Sequence, residues 1–366
     1  MKNKKTKLFL LFLLISSSLF SATPVKKIQI KKLFNLNSIM KKIKMSRERF
    51  TYPENKLFSK DEDGNFYLLN RYESRIIKLS KKGKLIKIIG HFGTDKLGLY
   101  YPKAIDIYNS VLYVLTSSAR KTVLKGFDLN GNKLISSVEF APKFTEAPCF
   151  MVEKDQFYVN LKTSSLKNSE EKLISVFNMK GKRMLSFGKP VKAQTWVGNI
   201  YFNMGIFSKY KDSIIGALWY YPIIVHYKTD GQMVYYKDLM KENFPKIKAI
   251  HKFVIRKNID RPDKRYSVQN GQISYVNYLY AADIDKDLNL YYSTWELKEN
   301  LRSSVLPVVY RFNKKGRHTD TLVLTLNGTP VRVCNLMFDR KTGERFGIGF
   351  IGSIVKKNLS IFVFKF

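Results

Sequence analysis

Residues 123–138 read VLKGFDLNGNKLISSV: two apolar-alternating runs joined by a short turn that holds Asn-Gly. Similar stretches recur as RIIKLSKKGKLIKIIG (75–90), LISVFNMKGKRMLSFG (173–188), IIVHYKTDGQMVYYKDL (223–239) and VVYRFNKKGRHTDTLVL (308–324). Lys, Asn or Asp before glycine between alternating runs is a hairpin signal, because glycine takes positive φ without steric cost. The turn glycines are Gly83, Gly131, Gly181, Gly231 and Gly316, spaced by 48, 50, 50 and 85 residues. The last spacing is one period plus an insertion, placed at about 240–276.

Most of these hairpins are preceded by another: DEDGNFYLLN (61–70), AIDIYNSVLYVLTS (104–117), FMVEKDQFYVNLKT (150–163) and ADIDKDLNLYYSTW (282–295). Four short strands per unit with no helical period between them predict an all-β chain, a β-propeller of four-stranded antiparallel blades. Six units are counted, at about 54–90, 101–140, 147–189, 199–239, 277–325 and 331–366. The last holds three strands, and KKIQIKKLFNL (26–36) is expected to supply its fourth, closing the ring and removing exposed edges.

Residues 88–134 resemble an NHL-type propeller repeat, through Gly90, Gly93, Gly98, Pro102, the AIDIY and LYVL strands and the FDLNG turn. Beyond its leader the chain is similar to bacterial exported six-bladed propellers of the NHL/TolB-like kind. That resemblance implies architecture and leaves function open, since the fold carries protein-binding and carbohydrate-binding members as well as enzymes.

Residues 1–22 read as a secretory leader. Lys2, Lys4, Lys5 and Lys7 precede the apolar run Leu8–Phe20, which ends at the small residues Ser21 and Ala22. Such a run is short for a bilayer span, which needs about 20 residues. Cleavage is expected between 18 and 22, leaving 23–366 as one propeller domain, periplasmic or extracellular. No cysteine lies near the junction, so a lipid anchor is not expected. Cys149 and Cys334 fall in the inner strands of units 3 and 6, on opposite sides of the ring. That is too far for a disulfide, which needs Cα atoms within about 7 Å, so both are expected as free thiols.

No catalytic residue, metal or cofactor is assigned. The acids Asp61, Asp63, Asp106, Glu153, Asp283, Asp285 and Asp339 sit mostly in or just before tight turns, where a carboxylate caps backbone N–H groups. The resemblance brings zinc-dependent lyases into view. Those need converging histidines, and His91, His226, His251 and His318 fall in places that do not converge. The sequence DIDKDLN (283–289) lacks the glycine and closing glutamate of an EF-hand loop. GxSxG, P-loop and HExxH motifs are absent. The alternative to a binding module is a metal-dependent hydrolase or lactonase acting at the central channel.

Of the 366 residues, 65 are Lys or Arg and 29 Asp or Glu, a formal charge of +36. The hydrophobic content of 45% supports a sizeable core and excludes disordered, collagen-like and small disulfide-scaffold classes. Basic residues concentrate at 26–49 and in the insertion, where Lys248, Lys252, Arg256 and Lys257 are candidate ligand-binding cations. Trp196, Trp219 and Trp295 are candidate stacking residues near blade connections. The expected partner of a monomeric chain is a protein, an anionic polysaccharide or the envelope surface, with nucleic acid set aside by the export signal.

Overall fold

The repeated hairpin pairs fold as sheets of four antiparallel strands. The computed structural model describes residues 25–43, 57–117, 121–142, 144–163, 172–192, 202–242, 266–269, 272–275, 279–297, 305–339, 341–351 and 360–366. Residues 1–24 and residues 243–265 of the insertion lie outside them. The described chain begins with β1 (Val25–Gln29), β2 (Lys31–Asn35) and a short helix α1 (Asn37–Lys42). The first blade is β3 (Phe58–Lys60), β4 (Phe66–Asn70), β5 (Arg75–Leu79) and β6 (Leu85–Ile89). The second is β7 (Ala104–Tyr108), β8 (Val111–Ser117), β9 (Lys121–Asp128) and β10 (Leu134–Pro142). The third is β11 (Phe144–Val152), β12 (Gln156–Thr163), β13 (Ile174–Asn178) and β14 (Arg183–Phe187). The fourth is β15 (Gly205–Tyr210), β16 (Ser213–Leu218), β17 (Ile223–Lys228) and β18 (Met233–Asp238).

Within the insertion, β19 (Tyr266–Gln269) and β20 (Gln272–Tyr275) pair as a hairpin of their own. The fifth blade is β21 (Ala281–Ile284), β22 (Leu290–Leu297), β23 (Val305–Phe312) and β24 (His318–Leu326), with β25 (Thr329–Pro330) against β24. The sixth is β26 (Arg332–Phe338), β27 (Arg345–Ile351) and β28 (Ser360–Lys365), completed by β2. The inner strands adjoin in the order β3, β7, β11, β15, β21, β26 and return to β3. The ring is a six-bladed propeller.

Closure differs from expectation in one detail. Residues 26–36 were read as a single strand on the last blade, but the segment changes sheets at Ile30. Lys31–Asn35 pairs antiparallel with β28. Val25–Gln29 pairs parallel with β24, the outer strand of the fifth blade. Two neighbouring blade edges are covered by one continuous segment, with Ile30 buried at the crossing and its N–H donating to the Thr325 carbonyl at 2.9 Å.

Six apolar clusters lie one at each seam between blades. Because each sheet is covered on both faces, successive residues of a strand are both buried: Tyr291 enters the cluster toward blade six and Tyr292 the one toward blade four. Each such side chain contributes roughly 1.5–3 kcal/mol on burial. The turn glycines have a second duty here. Gly131 has φ +65°, and a Cβ there would lie 2.1 Å from Ile89 Cγ2 in the outer strand of the preceding blade. Gly83 repeats this against Phe34 of β2 at 2.3 Å, so each turn both reverses the chain and lets two blades approach.

Candidate functional site

The inner strands end around one mouth of the central channel, where a cavity of about 280 Å³ opens. Its wall draws on β3 and its turn (Lys60, Asp61), β7 (Asp106), β21 (Asp283) and the end of β26 (Asp339). Most polar groups here hold one blade to the next. Lys60 pairs with Asp339 across the seam of blades six and one, both side chains 14% exposed. Lys209 pairs with Glu153 across the seam of blades four and three. Asp106 Oδ2 accepts the Val152 N–H at 3.0 Å, and Asp283 Oδ2 accepts the Phe338 N–H at 2.7 Å, tying blade two to three and five to six. Between blades one and two, the Lys78 ammonium donates to the Leu129 carbonyl at 3.1 Å, and the Tyr67 hydroxyl lies 3.0 Å from the same oxygen.

The turn acids divide into two kinds. Asp61 accepts the Asn65 backbone N–H at 2.8 Å, the Asn65 side-chain amide at 2.9 Å and the Tyr67 hydroxyl at 3.0 Å. Asp285 repeats the arrangement with Asn289 and Tyr291, so DxxxNxY is one structural unit used twice. Burial, then the Asp61 charge, pushes the Tyr67 phenol far above its ordinary value, leaving it a neutral donor. Asp339 also caps its own turn, accepting the Lys341 and Thr342 N–H groups. Burial acts to raise its carboxyl, but the Lys60 ammonium and those N–H groups outweigh it and hold it below the usual carboxylate range.

Turn capping therefore holds for Asp61, Asp285 and Asp339. Asp106 and Asp283 lie inside their strands and reach the next blade's backbone. The signal was present: in AIDI and ADI the acid stands within the apolar run, before an isoleucine, not after it. Asp63 is exposed in its turn. Among the described residues, no three His, Cys, Asp or Glu side chains gather around a common point that could hold a metal ion.

The candidate binding residues are not brought together by the described structure. Lys248, Lys252, Arg256, Lys257 and Trp196 lie outside the described residues, as does His251. Trp295 belongs to β22, opposite Pro307 in β23. Trp219 is 3% exposed and packs in the cluster between blades four and five. Cys149 and Cys334 are buried in β11 and β26. The Cys149 thiol donates to the Phe207 carbonyl at 2.9 Å and that of Cys334 to the Ile348 carbonyl at 3.3 Å. Burial pushes the Cys334 thiol up to about 12, so it stays protonated. His91 meets Asp95 at 2.7 Å, and His318 packs on Tyr310 and Phe312.

Among solved structures the correspondence is one of fold. Regucalcin from Agrobacterium tumefaciens, described as a calcium-binding protein, aligns over 93% of this chain and 96% of its own at 10% identity, TM-score 0.50. A DUF4221-family protein from Bacteroides vulgatus aligns over 86% and 93% at 11% identity, TM-score 0.50. Virginiamycin B lyase from Staphylococcus aureus aligns over 91% and 87% at 11% identity, TM-score 0.46. The likenesses to the first two show the propeller fold alone. No family model matches the sequence, and no curated protein matches it. No helix among the described residues is long and apolar enough to cross a membrane.

Proposed function

We propose that the chain is an exported propeller of the NHL/TolB-like kind, acting as a binding or scaffolding module for an anionic or protein partner at the cell envelope. The observation that carries this reading is the charge balance: 65 basic against 29 acidic residues, with many described acids already engaged in bracing turns and seams. Cations are left over as the groups that can meet a partner. The NHL-like subtype is supported by the connection at 90–100. There Lys125, 8% exposed, donates to the carbonyls of Asp95 and Gly98, both at 2.7 Å, and Asp95 caps the Leu97 and Gly98 N–H groups. Export rests on the leader pattern of residues 1–22.

A calcium site of the kind named for the regucalcin relative needs several carboxylate or carbonyl oxygens turned toward one ion. Aspartates lining the channel mouth are engaged elsewhere: Asp61 by Asn65 and Tyr67, Asp106 and Asp283 by N–H groups of the next blade, and Asp339 by Lys60. The test is a salt titration of binding to an acidic polysaccharide. Deleting 241–265 is expected to flatten the slope of log K against log salt. An unchanged slope would remove the insertion from the binding surface, and no binding to any anionic polymer would overturn the reading.

A further inference from the structure

Three turns converge at the seam of blades four and five, on the same face as the channel mouth: residues 210–212, 286–289 and 313–317. They line an open cleft of about 600 Å³. Its wall carries Lys211, Lys286, Lys314, Lys315 and Arg317, all exposed and none with an acidic partner among the described residues. Two acids, Asp212 and Asp287, share the wall, which leaves a clear excess of positive charge.

The turns that present these cations are fixed. Asp285 Oδ1 accepts the N–H groups of Asp287 (3.0 Å) and Asn289 (2.9 Å). Asn313 Oδ1 accepts those of Lys315 (3.0 Å) and Arg317 (3.1 Å). Lys211 holds φ +54°. Fixed backbones confine the freedom lost on binding to the side chains themselves. Behind the wall stands His226 of β17, 5% exposed, with neither ring nitrogen hydrogen-bonded. It lies beside Asp212 and the Lys314 carbonyl, in the place that Lys78 holds against the Leu129 carbonyl at the seam of blades one and two, yet its ring does not reach bonding geometry. A buried polar ring left without a hydrogen bond is a cost carried by this seam.

We propose that this cleft binds a compact oligoanion bearing at least two adjacent phosphate-type groups. The Arg317 fork suits one oxyanion in bidentate fashion, and the lysines from the other turns act as point charges for its neighbours. The proposal rests on the reading of the chain as an anion-binding module, but it can fail separately, since polymer binding that survives loss of the cleft leaves that reading in place.

Isothermal titration of the mature chain with tripolyphosphate tests it. The site variant is Lys314→Glu/Lys315→Glu/Arg317→Glu. Its control is Lys81→Glu/Lys82→Glu/Lys84→Glu, which reverses three exposed cations at the matching positions around Gly83 and changes net charge equally. The expected result is a one-to-one isotherm that the site variant weakens by at least about tenfold, while the control changes it less than about threefold. Lys211→Glu/Lys286→Glu, on the other two turns, should weaken binding comparably and guards against misfolding of one loop. Equal losses in site variant and control, no loss in either, or no saturable binding by the parent chain would each overturn the proposal.

Discussion

Two seams on one face of the ring use the same turn to different ends. At the seam of blades six and one, the turn of blade one carries Lys81, Lys82 and Lys84 around Gly83, and the neighbouring cations are matched by acids: Lys60 with Asp339, and Lys341 with Glu62 at 2.6 Å. At the seam of blades four and five, the equivalent turn carries Lys314, Lys315 and Arg317 around Gly316, and Lys211 and Lys286 join them without an acidic partner among the described residues. One seam is an internal brace, the other a set of charges awaiting something outside the chain. The scaffold is shared, and what differs is whether neighbouring cations and carboxylates close into ion pairs.

The contrast extends to the glycines, where the largest effect is expected. A Cβ at Gly83 would meet the Phe34 ring at 2.3 Å, whereas at Gly316 it would meet the flexible end of Lys237 at 2.8 Å. Both positions have positive φ, which costs an alanine roughly 1–2 kcal/mol. Gly83→Ala adds overpacking against a ring and should lose about 3 kcal/mol or more in urea unfolding. Gly316→Ala should stay near the backbone cost alone, and equal losses would mean that the two seams are packed alike.

Next in size is the ion pair. Lys60→Met keeps the aliphatic stem but strands Asp339 in a half-buried place, and should cost about 2 kcal/mol at neutral pH. The native-state Asp339 carboxyl is held low, so its stabilisation is present above the ordinary carboxylate range and fades as pH falls through the native value. The difference between parent and variant should therefore shrink in acid, and a constant difference would point to packing instead of charge. The smallest effect belongs to the other seam. Lys286→Met should change stability by less than about 0.5 kcal/mol, in the stabilising direction and less so at high salt, because it removes a repulsion and breaks no pair.

The blade count was legible because the hairpin glycine is imposed locally, by backbone φ, and recurs with the blade. The sixth blade lacks that glycine because its last strand pair joins the two ends of the chain, and the sequence reading still placed 26–36 there. The switch of that segment at Ile30 was not legible, since pairing with β24 or with β28 suits an exposed lysine-rich strand equally. The seam contacts were hidden for another reason: Lys60 and Asp339 are 279 residues apart, and only the ring's curvature makes them neighbours. The same holds for the cleft, whose cations come from three turns. Attention to the basic run at 241–265 found charge by density along the chain, whereas this cleft gathers it through the fold.

The central claim is that the channel acids brace blades and that the chain works by binding. Native mass spectrometry with elemental analysis, on protein purified without added metal or chelator, tests it most directly. The account predicts a chain mass with no stoichiometric calcium or zinc. One tightly held Ca²⁺ or Zn²⁺ per chain would contradict it and turn attention to a metal-dependent hydrolase at the channel.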